Sequence, residues 1–115
     1  MDCIFCAIAE HEAQAKVIFE NDRVIVFRDH RPQAKTHLLV CPKRHYPTFM
    51  DAPAEEVAYL YKVCRKLAEY MHTENGFRMT INNGPKGGQI VFHLHVHFLS
   101  WIKEIDDKKI DLDLD

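Results

Sequence analysis

Residues 93–97 read His-Leu-His-Val-His, and this alternation is the most informative feature of the chain. In a β-strand, successive side chains point to opposite faces of the sheet. We therefore predict a strand over about residues 91–100, with its three histidines on one face. Three imidazoles along one face gain little from packing, so the pattern favours a chemical role. The opposite face of this strand is apolar and suits a core: Phe92, Leu94, Val96 and Phe98.

The rest of the sequence predicts an α+β domain. Short apolar runs, separated by polar turns, indicate four further strands. The first two form a hairpin. We expect an antiparallel sheet of about five strands in a single domain over residues 1–115. The four additional strands are predicted over residues 16–20, 23–28, 36–41 and 77–83.

One long helix is predicted over about residues 53–74, because apolar residues recur there at helical spacing. Asp51 is the candidate N-cap, and Gly76 stands where a glycine commonly follows a helix. A short helical turn over residues 3–9 completes the predicted fold. The apolar stripe of the long helix comprises Val57, Leu60, Tyr61, Cys64, Leu67, Ala68 and Met71.

The bulk composition is that of a soluble globular protein. The 115 residues carry a formal net charge of −2, with 47% hydrophobic and 28% charged residues. This balance gives no electrostatic basis for nucleic-acid binding, and no apolar run is long enough to cross a bilayer. The N-terminus lacks the pattern of a signal peptide, so we expect a cytoplasmic protein. The acidic C-terminal segment, about residues 103–115, is predicted to be mobile or to lie at an edge.

A glycine-rich connection directly precedes the histidine strand. Residues 84–88 read Gly-Pro-Lys-Gly-Gly, and such a backbone can present N–H groups to an anion. Asn82 adds an amide donor. A neutral imidazole is a competent nucleophile near pH 7, so the combination favours phosphoryl or nucleotidyl transfer through a covalent intermediate. The alternative is a plain hairpin turn beside a histidine run.

Metal binding is the competing interpretation of the histidines. His side chains at i and i+2 can ligate one zinc ion, and three could build an open catalytic site. Cys3 and Cys6 form a C-x-x-C pair that suits zinc but needs two more ligands. Isolated surface thiols are the alternative for this pair. Cys41 and Cys64 lie on apolar segments and are predicted to be buried thiols.

Taken together, these motifs resemble the histidine triad (HIT) superfamily. The stretch His93–Leu99 resembles the family signature of three histidines alternating with apolar residues, and the Gly-Gly-Gln step at 87–89 resembles the segment before it. Residues 27–29 and 32–40 also resemble family motifs, so the likeness covers about residues 3–100. The short length is similar to the Hint branch, the nucleoside phosphoramidases.

The resemblance implies a role for each site residue. His95 would attack the phosphorus and carry a transient nucleotidyl group, while His97 and the backbone of Gly88 would bind phosphate oxygens. His37 would lie close to the triad. The further residues that the resemblance assigns are Asn82 and Gln89 at the phosphate, and Phe5, Ile8, Phe27, Asp29 and His30 at the nucleoside. Ordinary core packing is the alternative for Phe5, Ile8 and Phe27, and a loop cap is the alternative for Asp29.

The resemblance also implies a structural zinc ion. Many microbial members bind zinc through an N-terminal C-x-x-C, a histidine after a Pro-Lys step and the first triad histidine. In this chain the set is Cys3, Cys6, His45 and His93. It divides the triad, because His93 would belong to the metal while His95 and His97 serve the phosphate. No organic cofactor is expected.

Two departures from the family pattern concern the substrate. Ile90 stands where the family has Ser or Thr, whose hydroxyl contacts the phosphate or the leaving group. The segment after Leu99 also differs from the usual small-residue pattern.

The function implied is an enzyme that cleaves nucleoside 5′-phosphoramidates or related conjugates and releases a nucleoside monophosphate. The expected partners are a purine nucleotide such as AMP or GMP and a second copy of the chain in a homodimer. The alternatives are a dinucleoside polyphosphate hydrolase, as in the Fhit branch, and a nucleotide-binding regulatory module with little turnover. The last alternative stays open because Ile90 lacks the hydroxyl that the family has at this position.

Overall fold

A five-stranded antiparallel sheet forms the centre of the protein in a computed structural model that describes residues 3–114. One long helix and one short N-terminal helix pack against the sheet, which confirms the predicted α+β architecture. The strand order is β1-β2-β3-β5-β4. The elements, in chain order, are α1 (Ile4–Ala9), β1 (Val17–Glu20), β2 (Val24–Arg28), β3 (Thr36–Pro42), α2 (Ala54–Met71), β4 (Arg78–Thr80) and β5 (Val96–Ser100).

Both faces of the central strands are buried, because a helix covers each face. Alternate residues of β2 and β3 face α2 and join the main core, as Val26 and Val40 do. The residues between them face α1 and form a second, smaller cluster that includes Phe27 and Leu39. His37 shares the parity of Leu39 along β3, so His37 lies on the α1 side of the sheet.

The histidine strand is shorter than predicted. β5 begins at Val96, and its pairing with β3 ends at Val40↔Val96. Two residues further along β3 stands Pro42, which has no backbone N–H with which to continue the ladder. Phe92, predicted to face the core, is therefore half exposed. Leu94, Val96 and Phe98 do lie in the core as predicted.

Both predicted end signals of the long helix are wrong. Asp51 belongs to a preceding 3-10 turn, where it forms a reciprocal capping box with Thr48. At the other end His72 takes the left-handed position, with φ 57°, that the sequence assigned to glycine. A Cβ at Gly76 would lie 2.6 Å from the Cδ1 atom of Ile102, so a larger residue there would require the Ile102 side chain to shift.

The strand predicted over residues 77–83 is only three residues long. On the predicted stripe of the long helix, Tyr61 is exposed, and Val63, which the stripe did not include, is in the core.

The C-terminal segment is packed along the sheet as far as it is described. The Ile110 N–H donates to the Ile18 carbonyl at 2.8 Å, so this segment covers the outer side of β1. Asp107 pairs with Arg28 and with Lys16. This outcome agrees with the edge alternative of the prediction rather than with a mobile tail. Within residues 3–114, no helix is long and apolar enough to cross a bilayer.

Candidate active site and metal-binding cluster

The three triad histidines do not share one environment. The side chain of His93 turns toward the N-terminal cysteines, whereas His95 and His97 line a cleft on the α1 side of the sheet. Among the described residues, the metal-competent groups include His93 in one cluster and His97 in another, and neither cluster contains His95. The alternative of one catalytic zinc held by all three histidines therefore does not fit the geometry.

The first cluster consists of the two cysteines and two imidazoles that the resemblance assigned to zinc. Four potential ligand atoms lie within 4.8 Å of one another. Cys3 Sγ lies 3.4 Å from His93 Nδ1, and Cys6 Sγ lies 3.5 Å from the same atom. His45 Nδ1 is 3.3 Å from Cys6 Sγ and 3.2 Å from His93 Nδ1.

These separations fit a tetrahedral ion. Zn–S and Zn–N bonds of about 2.3 and 2.0 Å place neighbouring ligand atoms roughly 3.3–3.8 Å apart. The other ring nitrogen of His93, Nε2, donates to the Pro42 carbonyl at 2.7 Å. The lone pair on Nδ1 is therefore left facing the space between the two cysteine sulfurs and the Nδ1 atom of His45. The donor set can therefore hold a soft divalent cation.

Local folding brings the cysteines together. Cys3 is the N-cap of α1, and its sulfur accepts from the Cys6 N–H at 3.3 Å. Burial, with Cys3 beside it, raises the pKa of the Cys6 thiol to about 11. A bound cation acts in the opposite direction, because the thiolate is the form that ligates metal.

His95 is held as a neutral ring with one nitrogen free. Its Nδ1–H donates to the His93 carbonyl at 2.6 Å, so the lone pair lies on Nε2. The ring is 7% exposed and lines the cleft. Phe5 packs edge-on against it, with the ring centroids 5.0 Å apart. A fixed tautomer with a free Nε2 beside a cleft is what a nucleophilic imidazole requires.

A hydrogen-bonded pair of rings, His37 and His97, lies next to His95. The Gln33 backbone N–H donates to His37 Nδ1 at 3.1 Å, so the proton of a neutral His37 is on Nε2. That nitrogen lies 2.9 Å from His97 Nδ1. The hydrogen-bond pattern thus assigns the remaining proton of a neutral His97 to its own Nε2. His37 pairs with Leu99 and His97 with Leu39 across β3 and β5, which makes the two rings diagonal neighbours on one face.

Burial lowers the pKa of His37, of His95 and of His97. The Asp29 carboxylate, whose Oδ2 is 3.4 Å from His37 Nε2, opposes the shift without cancelling it. All three imidazoles are therefore held neutral near pH 7, the protonation state in which His95 is a nucleophile. Asp29, His37 and His97 also form the second group whose ligand atoms lie within 4.8 Å.

The glycine loop meets the same cleft. Gly84 and Gly88 have φ of 72° and 85°, a left-handed conformation that glycine adopts without strain. Gly88 and Asn82 both line the cleft beside the histidines. The loop residues Pro85–Gly87 form a 3-10 turn, so the connection is more than a simple hairpin turn.

Gln89 was predicted to bind the phosphate, but its side chain lies away from the cleft. Its side chain is buried, and it does not line the cleft. The amide oxygen accepts from the Gly84 N–H at 2.9 Å, and the amide nitrogen donates to the carbonyls of Pro47 and Val91 at 2.7 and 3.0 Å. Both amide hydrogens are thus used within the protein. We correct its predicted role from a phosphate ligand to a residue that holds the glycine loop in place.

The predicted nucleoside residues also line the cleft, whose volume is about 1610 Å³. Phe5 and Phe27 meet edge to face at 5.2 Å, and with Ile8 they are buried in the smaller core cluster. They are both core residues and cleft walls, so the two interpretations are compatible. Asp29 also caps its own loop, since Oδ1 accepts from the Arg31 N–H at 2.8 Å. His30 is mostly exposed at the rim.

The sequence did not indicate the charged rim. Lys16, Arg28 and Asp107 line the cleft and form ion pairs across it. Asp107 is 79 residues from Arg28 in the sequence, and no local pattern reports such a pairing. Glu104 also lines the cleft, so the C-terminal segment contributes to its wall.

Comparison with known proteins agrees with this geometry. The model of the HIT domain family matches residues 10–103. A HIT-like protein of Chlamydia pneumoniae is 39% identical over 99 residues, which cover 84% of this chain and 90% of that protein.

Two solved structures share the fold. A HIT family hydrolase from Legionella pneumophila superposes with a TM-score of 0.82 at 40% identity, covering 89% of this chain and 95% of that chain. A zinc-bound histidine triad family protein from Mycobacterium smegmatis gives a TM-score of 0.79 at 35% identity, covering 87% and 75%. On the match of the family model and the shared fold, this chain belongs to the HIT domain family.

Proposed function

We propose that this protein hydrolyses nucleoside 5′-phosphoramidates or related nucleotide conjugates and releases a nucleoside monophosphate. The observation that carries the proposal is the state of His95, whose Nδ1 is engaged by a backbone carbonyl while Nε2 is free beside the cleft. The similarity to a protein described as a HIT family hydrolase supports an enzyme rather than a passive binding module.

In the first step, His95 Nε2 attacks the phosphorus and the bond from phosphorus to the leaving amine breaks. The amine departs with the proton that His97 carries on Nε2, a solvent proton from the cleft replaces it there, and the His37 Nε2–H keeps its hydrogen bond to His97 Nδ1 throughout. The backbone N–H of Gly88 and the Asn82 amide stabilise the charge on the phosphate oxygens.

In the second step, water attacks the same phosphorus and the bond to His95 Nε2 breaks. One proton of the water passes by way of His97 to the solvent in the cleft, which balances the proton taken up in the first step. The product is the nucleoside 5′-monophosphate, and the three imidazoles return to their starting protonation states. Because burial keeps the three rings neutral, no group must titrate before the cycle can begin again.

The nucleoside would lie against the apolar wall of the cleft. Phe5, Ile8 and Phe27 offer an apolar, partly aromatic wall for a purine, as in AMP or GMP. Asp29 offers a carboxylate for the ribose hydroxyls, with His30 at the rim. The backbone N–H of Gln33 donates to His37 and holds that ring in place.

The cysteine and histidine cluster would hold a structural zinc ion. Four protein ligands would fill a tetrahedral site, so the ion would contribute folding energy and would leave no open position for substrate. Its effect on catalysis would be indirect. The ligand His93 also provides the carbonyl that fixes the His95 tautomer, and the zinc site would thereby hold the nucleophile in place.

A homodimer is supported by the uncovered end of the sheet. Within the described residues, the C-terminal segment covers the outer side of β1, whereas no strand pairs with the outer side of β4. A hollow of about 330 Å³ lies beside β4 and is lined by Phe49, Tyr61, Met79, Ile81 and Asn83. A second copy would cover this edge. Sedimentation analysis of Tyr61→Glu tests it, with dimer loss expected and an unchanged dimer contradicting it.

The test of the enzyme is turnover of adenosine 5′-phosphoramidate, followed as AMP release. We expect turnover by the wild type and none by His95→Ala with its fold and metal content unchanged. Lys62→Ala, at an exposed position of α2 that lines neither the cleft nor the hollow, is the control and should retain activity. AMP binding without turnover by the wild type would favour the regulatory module, and equal turnover by His95→Ala would contradict the proposed nucleophile.

A further inference from the structure

The two N-terminal cysteines form a close and accessible pair of sulfur atoms. Cys3 and Cys6 are both partly exposed, whereas His93, in the same cluster, is fully buried. The two sulfurs lie within 4.8 Å of each other. Cys3 is the N-cap of α1 and has an extended backbone, and its sulfur accepts from the Cys6 N–H at 3.3 Å. The Cys3 side chain can therefore turn toward Cys6 without breaking a backbone hydrogen bond of α1.

The other two cysteines are protected from solvent. Cys41 and Cys64 are both 0% exposed, and they lie in two different core clusters. Oxidising either thiol would require the core around it to open first. Of the four cysteines in the chain, Cys3 and Cys6 are thus the two that a reagent in solution can reach.

Two contacts connect this pair to the nucleophile. Phe5 lies between the two cysteines in the first turn of α1, and its ring packs against His93 and His95, with centroid separations of 6.0 and 5.0 Å. The His93 carbonyl also accepts the His95 Nδ1–H at 2.6 Å. A change in the first turn of α1, or the release of His93 from a metal, therefore reaches His95 directly.

We propose that Cys3 and Cys6 form a redox switch: a low-molecular-weight disulfide oxidises the pair, the metal is released, and His95 loses its fixed position. The inference rests on the zinc site and the hydrolase activity proposed above. Two thiolates on one zinc ion lie about 3.8 Å apart, whereas a disulfide needs its sulfurs at about 2.0 Å. A disulfide sulfur also lacks the thiolate charge that binds zinc. Metal binding and oxidation are therefore mutually exclusive states of this pair.

The oxidation is a thiol–disulfide exchange that transfers two electrons. The Cys3 thiolate attacks one sulfur of the reagent, the S–S bond of the reagent breaks, and a first thiolate leaves. The Cys6 thiolate then attacks the Cys3 sulfur, which breaks the mixed disulfide and expels a second thiolate. The cysteine pair is oxidised, the reagent is reduced, and the expelled thiolates take their two protons from water. Without the sulfur ligands, His45 and His93 alone cannot complete a tetrahedral site.

The test is incubation of the zinc-loaded protein with oxidised glutathione, followed by thiol counting, metal analysis, peptide mapping and AMP release. We expect the loss of two thiols and one zinc ion per chain and a disulfide that maps to Cys3 and Cys6. AMP release should fall by about 10- to 100-fold, the cost of a misplaced reacting group. Dithiothreitol with added zinc should restore it. Nitrogen-15 spectra of the imidazoles should show that the His95 Nδ1–H loses its hydrogen bond.

Cys6→His is the matched variant, because it keeps a ligand for zinc but cannot form the disulfide. This variant should retain its zinc ion in oxidised glutathione. The inference would be overturned if the oxidised wild type kept its zinc, if the disulfide involved Cys41 or Cys64, or if the protein with the Cys3–Cys6 disulfide kept full turnover. A protein that takes up no zinc before oxidation would contradict the zinc site and this inference together. A reduced, zinc-loaded protein that releases no AMP would contradict the hydrolase, while thiol count, metal content and imidazole spectra would still decide the switch.

Discussion

Two clusters lie at opposite ends of one short histidine segment, and they differ in how their nitrogens are used. At His93, Nε2–H donates to a backbone carbonyl, and Nδ1 lies beside His45 and two cysteine sulfurs. At His95, Nδ1–H donates to a backbone carbonyl, and Nε2 remains free beside the cleft. The ring nitrogen that the backbone engages decides which nitrogen is left available, which suits His93 to the proposed metal site and His95 to the proposed nucleophilic attack.

The largest expected effect comes from replacing His95 and His93 by alanine in two separate variants. His95→Ala should reduce kcat/KM by at least about a thousandfold, because it removes the nucleophile, and should leave metal content and thermal stability near wild type. His93→Ala should lose the metal and much of the stability. Kinetics, elemental analysis and thermal unfolding on both variants measure this. The same loss of metal in both variants would contradict the division between the clusters.

The second effect concerns the metal itself. Cys6→Ser should lose the bound zinc and lower the melting temperature by roughly 10 °C or more, since binding energy at a closed site is folding energy. Cys64→Ser is a poor control because that thiol is in the main core. Chelation of the wild type is the better comparison. Activity that disappears on chelation while the melting temperature stays constant would indicate a catalytic ion instead.

A smaller effect is expected at His37. His37→Gln should lower kcat by about 10- to 100-fold, because the partner that fixes the His97 tautomer is lost. Burial lowers the His97 pKa, and His37 lowers it further. The acid limb of the wild type should therefore lie below pH 6.5. Removing His37 raises the His97 pKa and should move the limb to higher pH; an unchanged pH profile would argue against the pairing.

The smallest predicted effect separates loop support from phosphate binding. Gln89→Ala leaves the Gly84 N–H and the Pro47 carbonyl without their partner, at a cost of about 1–3 kcal/mol in unfolding free energy. Activity should fall several-fold. Gln33→Ala, an exposed glutamine whose backbone N–H is retained, is the control and should unfold like wild type. A weakened AMP affinity with unchanged stability would restore the original assignment of Gln89.

Much of the fold could be predicted because its signals are local. The β1–β2 hairpin follows from two apolar runs around a polar turn, and the α2 stripe follows from helical periodicity. The ends of the elements could not be predicted. His72 occupies the left-handed position, four residues before the glycine, and the buried Thr73 donates its N–H to the Ala68 carbonyl there. β5 starts late because Pro42, distant in sequence, cannot extend the ladder.

The site was predictable where spacing encodes geometry and unpredictable where it depends on chain packing. The alternation of residues 93–97 placed Leu94 and Val96 in the core and left the histidines for chemistry. It could not indicate that the Gln89 side-chain amide forms its hydrogen bonds within the protein, since one partner is Pro47, 42 residues away. It also could not indicate that the C-terminal Asp107 would pair with Arg28 at the cleft rim.

The most direct test of this account is native mass spectrometry of the zinc-loaded protein during turnover of adenosine 5′-phosphoramidate, followed by peptide mapping of the trapped species. We predict one species that retains one zinc ion and carries one AMP group on His95. An AMP group on another residue, or an adduct that forms only after zinc is lost, would contradict the assignment of the two histidines to separate tasks.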